Sequence, residues 1–186
     1  QYILGETNFY NCVIKVNSNT LIPRPETEEL VDLIVKENKG FRGTILDVGT
    51  GSGCIAIALA VNLPGTDVTG IDISDGAIAV AKENAILNKV TVSFLKTDIL
   101  NFDIPSLKRA EIIVSNPPYV RESEKKYIAA NVLDFEPHTA LFVPESNPLK
   151  YYLATLNLAE FVLLKGGKIY FEINEAMGEE MTQLLN

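Results

Sequence analysis

The chain has 186 residues, 47% of them hydrophobic and 22% charged, with a formal net charge of −8. This suits one globular domain, with or without a short appendage. It excludes a disulfide framework and a Cys/His zinc site of about four ligands, because Cys12, Cys54 and His138 are the only such residues.

The longest apolar run, Cys54 to Val61, is far below the roughly 18 residues of a membrane span. No charged-then-apolar leader opens the chain, so no signal peptide is expected, and the cysteine usage points to a reducing, cytoplasmic compartment. The acidic balance argues weakly against nucleic acid as the main partner.

Phe9-Tyr10 and Cys12 to Val16 read as short β structure, followed by the polar turn Asn17-Ser18-Asn19. Residues 1–22 are therefore expected to form a short β segment, and residues 23–186 the main domain. Pro25 suits the first position of a helix, and Glu26, Glu28 and Glu29 suit its first turn. Leu30, Leu33 and Ile34, joined by Val31, give that helix an apolar face, and Gly40 and Gly43 end it.

From there strands and helices alternate. Thr44–Val48, Val68–Ile73, Val90–Leu95, Glu111–Ser115 and Lys168–Ile173 read as strands. Gly53–Asn62, a helix N-capped by Ser74 and running to Asn88, Leu149–Leu164, and the segment from Glu175 onward read as helices. This alternation predicts an α/β fold, a mostly parallel sheet with helices on both faces. Ligands on such sheets bind beyond the carboxyl ends of the strands.

Two segments stand at those ends. Asp47-Val48-Gly49-Thr50-Gly51-Ser52-Gly53 follows the first strand of the alternation and opens a helix. Its glycines allow a tight turn and close approach of a ligand to the backbone. Asp72 lies roughly 20 residues on, where a carboxylate can accept from both hydroxyls of a ribose. The pattern reads as a nucleoside-cofactor loop. Gly51, Gly53 and Ala56 also satisfy a loose dinucleotide pattern, so it does not choose the cofactor. The plainer alternative is a sharp turn, with Asp72 capping the next helix. Asp98 follows the third strand and is open to two readings, an adenine contact or a turn residue.

The second segment is Asn116-Pro117-Pro118-Tyr119, directly after Ile112-Ile113-Val114-Ser115. Neither proline has an N–H, and residues before proline are held extended. The Asn116 side-chain oxygen and the Pro117 carbonyl can then accept both hydrogens of a planar –NH2 group, with the Tyr119 ring to pack against it. This suits an amide or aromatic amine as nucleophile, whose delocalised lone pair needs orientation more than it needs a base. The plainer alternative is a proline-rich loop that ends a strand.

These two motifs together resemble the amino-directed S-adenosylmethionine-dependent methyltransferases. Leu21-Ile22-Pro23-Arg24-Pro25-Glu26-Thr27-Glu28 and Phe135-Glu136-Pro137-His138-Thr139-Ala140-Leu141-Phe142 narrow the resemblance to the peptide chain release factor glutamine methyltransferases (the PrmC/HemK family). The resemblance spans nearly the whole chain. It implies a Rossmann-like class I methyltransferase fold and S-adenosyl-L-methionine as cofactor, with S-adenosyl-L-homocysteine as product. The reaction it implies is methylation of the side-chain N5 of a glutamine in the Gly-Gly-Gln loop of class 1 release factors.

The resemblance places Gly49, Thr50, Gly51 and Gly53 along the methionine part of the cofactor. It puts Asp72 on the ribose, Asp98 and Ile99 near the adenine, and Asn116 to Tyr119 around the glutamine. Ile73 and Asn116 join the cofactor contacts, and Arg24 joins the substrate contacts. No metal, membrane or direct nucleic-acid contact is implied, and a monomer is expected. The family also has a helical N-terminal domain and a last pair of strands, so the resemblance implies that residues 1–22 are a β-hairpin linker and that this sequence is the catalytic part of a longer protein.

Two related activities compete, N6-adenine methylation of nucleic acid and glutamine methylation of a ribosomal protein. Arg24 and Glu26 either order a substrate loop or pair with each other. His138 is expected to have a structural or surface role, and Glu122 to Lys126 to be a solvated face that follows the active rim and is open to partner contact.

Overall fold

The computed structural model describes residues 4–101, 107–128 and 130–185. Glu6–Phe9 (β1) and Cys12–Lys15 (β2) pair antiparallel. Tyr10 and Asn11 between them have positive φ, 38° and 65°, the two-residue turn whose twist matches a hairpin. Phe9, Cys12 and Ile14 face inward and are buried.

Pro25–Glu37 (α1) follows, with proline at its start and Glu26 and Glu28 in its first turn. Its buried face is Thr27, Val31 and Ile34, while Leu33 is 47% exposed. The expected face built on Leu30, Leu33 and Ile34 is thus rotated. The i, i+4, i+7 set carries a buried threonine in place of a leucine, and hydrophobicity alone does not register it.

Thr44–Val48 (β3), Cys54–Asn62 (α2), Asp67–Asp72 (β4), Asp75–Leu87 (α3), Ser93–Lys96 (β5) and Ala110–Ser115 (β6) then alternate. Lys150–Val162 (α5) leads into Leu163–Phe171 (β9), and Gly178–Leu185 (α6) follows. The five-stranded sheet has the order β5-β4-β3-β6-β9, all neighbours parallel. The strand order reverses between β3 and β6, and that switch point is where such sheets open a ligand crevice.

Side chains alternate along each strand and so split the core in two. Ile45, Ile112 and Val114 pack with Val31, Ile34, Ile57, Leu59 and the hairpin on one face. Leu46, Val48, Ile71 and Ile113 pack with Leu158, Ala159 and Val162 of α5 on the other. Helix α2 sits inside this layer and is buried on most of its circumference, as an apolar run without a polar stripe demands.

The last strand departs from expectation. It begins at Leu163, which pairs with Ala110, and the next registered pair is Ile112 with Lys168. Residues 164–167 form a bulge, with Gly166 at φ 81°. Gly166-Gly167 therefore lie within the strand rather than before it. The short strands Val120–Arg121 (β7) and Phe142–Val143 (β8) pair parallel in a separate two-stranded sheet. Between them lie a 3-10 segment, Glu122–Tyr127, and the helix Ala130–Phe135 (α4). Two-residue strands carry no readable period, and the sequence did not reveal them.

Asn84 on α3 and Asn88, which caps its C-terminus, hold the hairpin. Asn84 accepts from the Lys15 N–H at 2.8 Å and donates to the Lys15 carbonyl at 3.0 Å and the Ser52 carbonyl at 2.9 Å. Asn88 accepts from the Val13 N–H at 3.0 Å and donates to the Val13 carbonyl at 2.8 Å.

Gly53 opens α2 at φ 80°, and a Cβ there would stand 3.0 Å from Ala81 Cβ and 3.1 Å from Ile57 Cδ1. Gly53→Ala is expected to cost about 1–3 kcal/mol, from left-handed backbone strain plus overpacking. Chemical denaturation checks this, and an unchanged midpoint would refute the close-packing role. Among the described residues, no helix is long and apolar enough to cross a membrane.

Candidate active site

A cavity of about 360 Å³ opens at the carboxyl ends of β3, β4 and β6, within the range typical of small-molecule sites. Its wall includes Gly49, Thr50, Gly51, Asp72, Ile73, Asp98, Ile99, Asn116, Pro117 and Pro118. Most of the residues singled out in the sequence therefore meet in one place, although Asp72 and Asn116 are 44 positions apart in the chain. Gly53 and Tyr119 do not join that wall.

The glycine loop is shaped from below. Thr50 donates its hydroxyl to Asp47 Oδ2 at 2.6 Å, and the Ala56 N–H donates to the same oxygen at 3.2 Å. The Gly49 and Thr50 N–H groups both reach the Ile71 carbonyl at 2.9 Å. Gly49 (φ 75°) has open space where a Cβ would project, and at Gly51 (φ 56°) a Cβ would meet only the Gly49 carbonyl oxygen, at 4.0 Å. Their bare backbone is thus available to a ligand. Gly53 serves a different need. Its missing Cβ lets α2 pack against Ala81 and Phe94, so the third glycine of the motif belongs to the core.

Asp47 is fully buried, and burial raises its carboxyl to about 7, against the hydrogen bonds from Thr50 and Ala56. Oδ1 has no partner among the described residues, which a protonated carboxyl tolerates better than a carboxylate. The folded value lies above the unfolded value near 3.9. Between roughly pH 4 and 7 the folded chain therefore holds a proton that the unfolded chain has lost, and stability falls as pH rises through that window. Asp72 is shifted upward too, chiefly by burial, and adds in the same direction. Thermal midpoints are expected to fall from about pH 5 to pH 7 in the native chain, and less steeply in Asp47→Asn. Parallel curves would contradict the assignment.

Asp72 ends β4 with both oxygens engaged. Oδ2 accepts from the Gly51 N–H and Oδ1 from the Ser74 N–H, each at 2.9 Å. A carboxylate has about four lone-pair sites, so two remain for ligand hydroxyls. Ser74 caps α3 as expected, accepting from the Ala77 N–H at 3.2 Å. Asp98 accepts from the Leu100 N–H at 2.9 Å and from Asn101 Nδ2 at 3.1 Å. It is a turn residue, and it also stands in the cavity wall.

Across the switch point, Ser115 Oγ donates to the Val48 carbonyl at 2.7 Å. This buried bond ties the end of β6 to the end of β3, and so the Asn-Pro-Pro-Tyr segment to the glycine loop. Asn116 Nδ2 donates to Thr27 Oγ1 at 3.1 Å. Tyr119 is partly buried and packs against the cluster of Tyr152, Met177 and Met181. Its hydroxyl donates to Glu172 Oε1 at 3.1 Å. Burial, and then the Glu172 charge, push that hydroxyl well above the usual tyrosine range.

Arg24 lines the cavity but does not pair with Glu26. Its Nη2 donates to both oxygens of Glu136, at 2.7 and 2.8 Å, and the Glu136 side chain is 2% exposed. This ion pair fastens the 136–140 loop, with Pro137, Thr139 and Ala140 in the cavity wall, to the start of α1. His138 is structural, with Nε2 at 2.9 Å from the Leu133 carbonyl and its ring edge-on to Phe142. Thr27 and Glu172 were missed in the sequence. The only available signal was a threonine on the inward face of α1.

The described wall combines bare glycine backbone, two carboxylates and one guanidinium. That donor set fits a nucleoside bearing a cationic group.

Comparison with known proteins agrees with this arrangement. The family model described as methyltransferase small domain matches residues 25–141. A release factor glutamine methyltransferase from Flavobacterium psychrophilum is 52% identical over the whole chain. One of the same name from Bacteroides thetaiotaomicron is 49% identical over the whole chain. The chain spans 66% of the length of each of these two relatives. Among solved structures, the hMettl16 catalytic domain in complex with MAT2A 3'UTR hairpin 1 has a TM-score of 0.70 at 18% identity, covering 95% of this chain and 66% of that one. A ribosomal protein methylase from Lactobacillus delbrueckii subsp. bulgaricus has a TM-score of 0.58 at 23% identity, covering 87% and 68%. At such identities these structures share the fold. With the family model matched over most of its length, the chain belongs to the methyltransferase small domain family.

Proposed function

We propose that this chain carries the catalytic site of a release factor glutamine methyltransferase, moving a methyl group from S-adenosylmethionine to a glutamine side-chain amide. The observation that carries this reading is Asn116 at the switch point. Its Nδ2 is held by Thr27, so its oxygen is left as an acceptor in the cavity wall beside Pro117. An acceptor there, with a proline carbonyl next to it, selects a planar –NH2. The 52% identical relative bears the corresponding name.

S-adenosylmethionine, when bound, supplies a methyl on a sulfonium sulfur that leaves as a neutral thioether. The chain's residues do the rest. Gly49 and Gly51 would offer backbone to the cofactor, Asp72 would accept from ribose hydroxyls, and Ile73, Asp98 and Ile99 would border the adenine. Asn116 and the Pro117 carbonyl take the two amide hydrogens and fix the nitrogen's direction of attack. A new N–C bond forms as the S–C bond breaks, and the alkylated amide releases its proton to solvent. No serine, cysteine or lysine nucleophile is required. Both cysteines are free and buried, and burial pushes the Cys54 thiol up to about 12. The pair suits the reducing cytoplasm in which a release factor would be met.

The test offers tritiated S-adenosylmethionine and the full-length protein three acceptors. These are a class 1 release factor, the same factor with its Gly-Gly-Gln glutamine replaced, and plasmid DNA. Label is expected in the unaltered factor alone. Label in DNA would move the activity to adenine methylation, and label in the altered factor would displace the substrate residue.

A further inference from the structure

Asn116 contacts Thr27, which donates its hydroxyl to Glu172 Oε2 at 2.6 Å. Thr27 is buried, and it stands in the cavity wall beside Asn116, whereas Glu172 stands behind both. Glu172 is fixed from several sides. Its N–H donates to the Ser115 carbonyl at 3.1 Å, its carbonyl accepts from Tyr152 Oη at 3.0 Å, and its Oε1 accepts from Tyr119 Oη.

A hydroxyl has one hydrogen and two lone pairs, and an ionised carboxylate only accepts. The carboxylate therefore takes the single Thr27 hydrogen. Thr27 can then only accept from Asn116, and Asn116 must turn its –NH2 toward Thr27. Its oxygen is what remains for the cavity.

We propose that Glu172, acting through Thr27, is the positioning residue that fixes which end of the Asn116 amide faces the substrate. The proposal rests on the glutamine-methylation reading for its kinetic consequence, but not for its structural one. Were the relay cut, either end of the Asn116 amide could face the cavity. In the wrong orientation two donors would meet the two donors of the incoming –NH2. Productive geometry would be lost while the cavity kept its shape and the cofactor its contacts. Tyr119, which shares the same carboxylate, holds Glu172 in place from the other side.

The test uses Thr27→Val, which keeps the shape and removes the hydroxyl, Thr27→Ser, which restores it, and Glu172→Gln. Two measurements are made on the full-length protein. The first is steady-state kinetics with a release factor. Thr27→Val and Glu172→Gln are expected to lose about tenfold or more in kcat, as removal of oriented polar groups does. The release-factor KM and the cofactor dissociation constant are expected to change less than about threefold, and Thr27→Ser to recover most of the rate.

The second is the NMR signal of the Asn116 side-chain –NH2 in asparagine-labelled protein, read without substrate. It is expected to shift, and to exchange faster with water, in Thr27→Val and Glu172→Gln but not in Thr27→Ser. An Asn116 signal identical in Thr27→Val and the native protein would overturn the proposal, whatever the kinetics. A shifted signal with unchanged kcat would overturn its catalytic part. If the native protein leaves the release factor unlabelled, the glutamine reading fails by itself, and the NMR signal still decides whether the relay exists.

Discussion

Asn116→Ala is expected to lower kcat by about 10²–10³-fold, the usual cost of losing one preorganised polar contact to a reacting group. Its effect on S-adenosylmethionine affinity is expected to stay within about threefold, under 1 kcal/mol. The separation follows from the geometry. Asn116 is placed by Ser115, which is bonded to β3, and by Thr27 on α1, whereas the glycine loop is shaped by Asp47 and Asp72. Removing the Asn116 amide leaves that loop's bonds intact. Single-turnover rates and equilibrium dialysis with labelled cofactor check the split. An equal loss of rate and affinity would show that Asn116 holds the cofactor rather than the acceptor amide.

Asp72→Asn is expected to do the reverse, weakening cofactor binding by about 10–100-fold, the equivalent of one charge-assisted hydrogen bond. Both Asp72 oxygens accept from backbone N–H groups, of Gly51 and of Ser74. An asparagine would present an –NH2 to one of those donors and lose that bond. The loop would relax at Gly51, and the remaining oxygen would have to serve both the protein and the ribose. Stability should move little, because the substitution also removes a carboxylate that burial disfavours. Calorimetric titration beside a thermal melt measures both quantities. Unchanged affinity would remove Asp72 from the cofactor site.

Much of this was legible in the sequence because the signals are local. The apolar run Thr44–Val48 and the capping Ser74 each depend on residues within a few positions, and the structure places both as expected. The two prolines after Asn116 were equally plain. Other features depend on distant partners. Arg24 meets Glu136 across 112 positions, and Thr27 meets Glu172 across 145. Nothing near Arg24 says that its partner is not Glu26, and nothing near Thr27 says why a threonine should sit on an inward face.

Gly53 and Tyr119 have protein neighbours that were hidden for a related reason. A motif records which residue type is required, not which neighbour requires it. For Gly53 the neighbours are Ala81 and Ile57, and for Tyr119 the neighbour is Glu172, directly after the last strand. The bulge in β9 escaped because two glycines after a helix read equally well as its end or as an irregular strand.

The asparagine clamp gives the hairpin a second meaning. One buried amide, Asn84, grips the Lys15 backbone and the Ser52 carbonyl of the glycine loop together. Peeling the hairpin away would leave that amide with unmet donors and acceptors in a dry setting, at about 1–3 kcal/mol for each orphaned group. The two segments therefore belong to one cooperative unit of local unfolding. By linkage, a ligand that orders the glycine loop also steadies the hairpin.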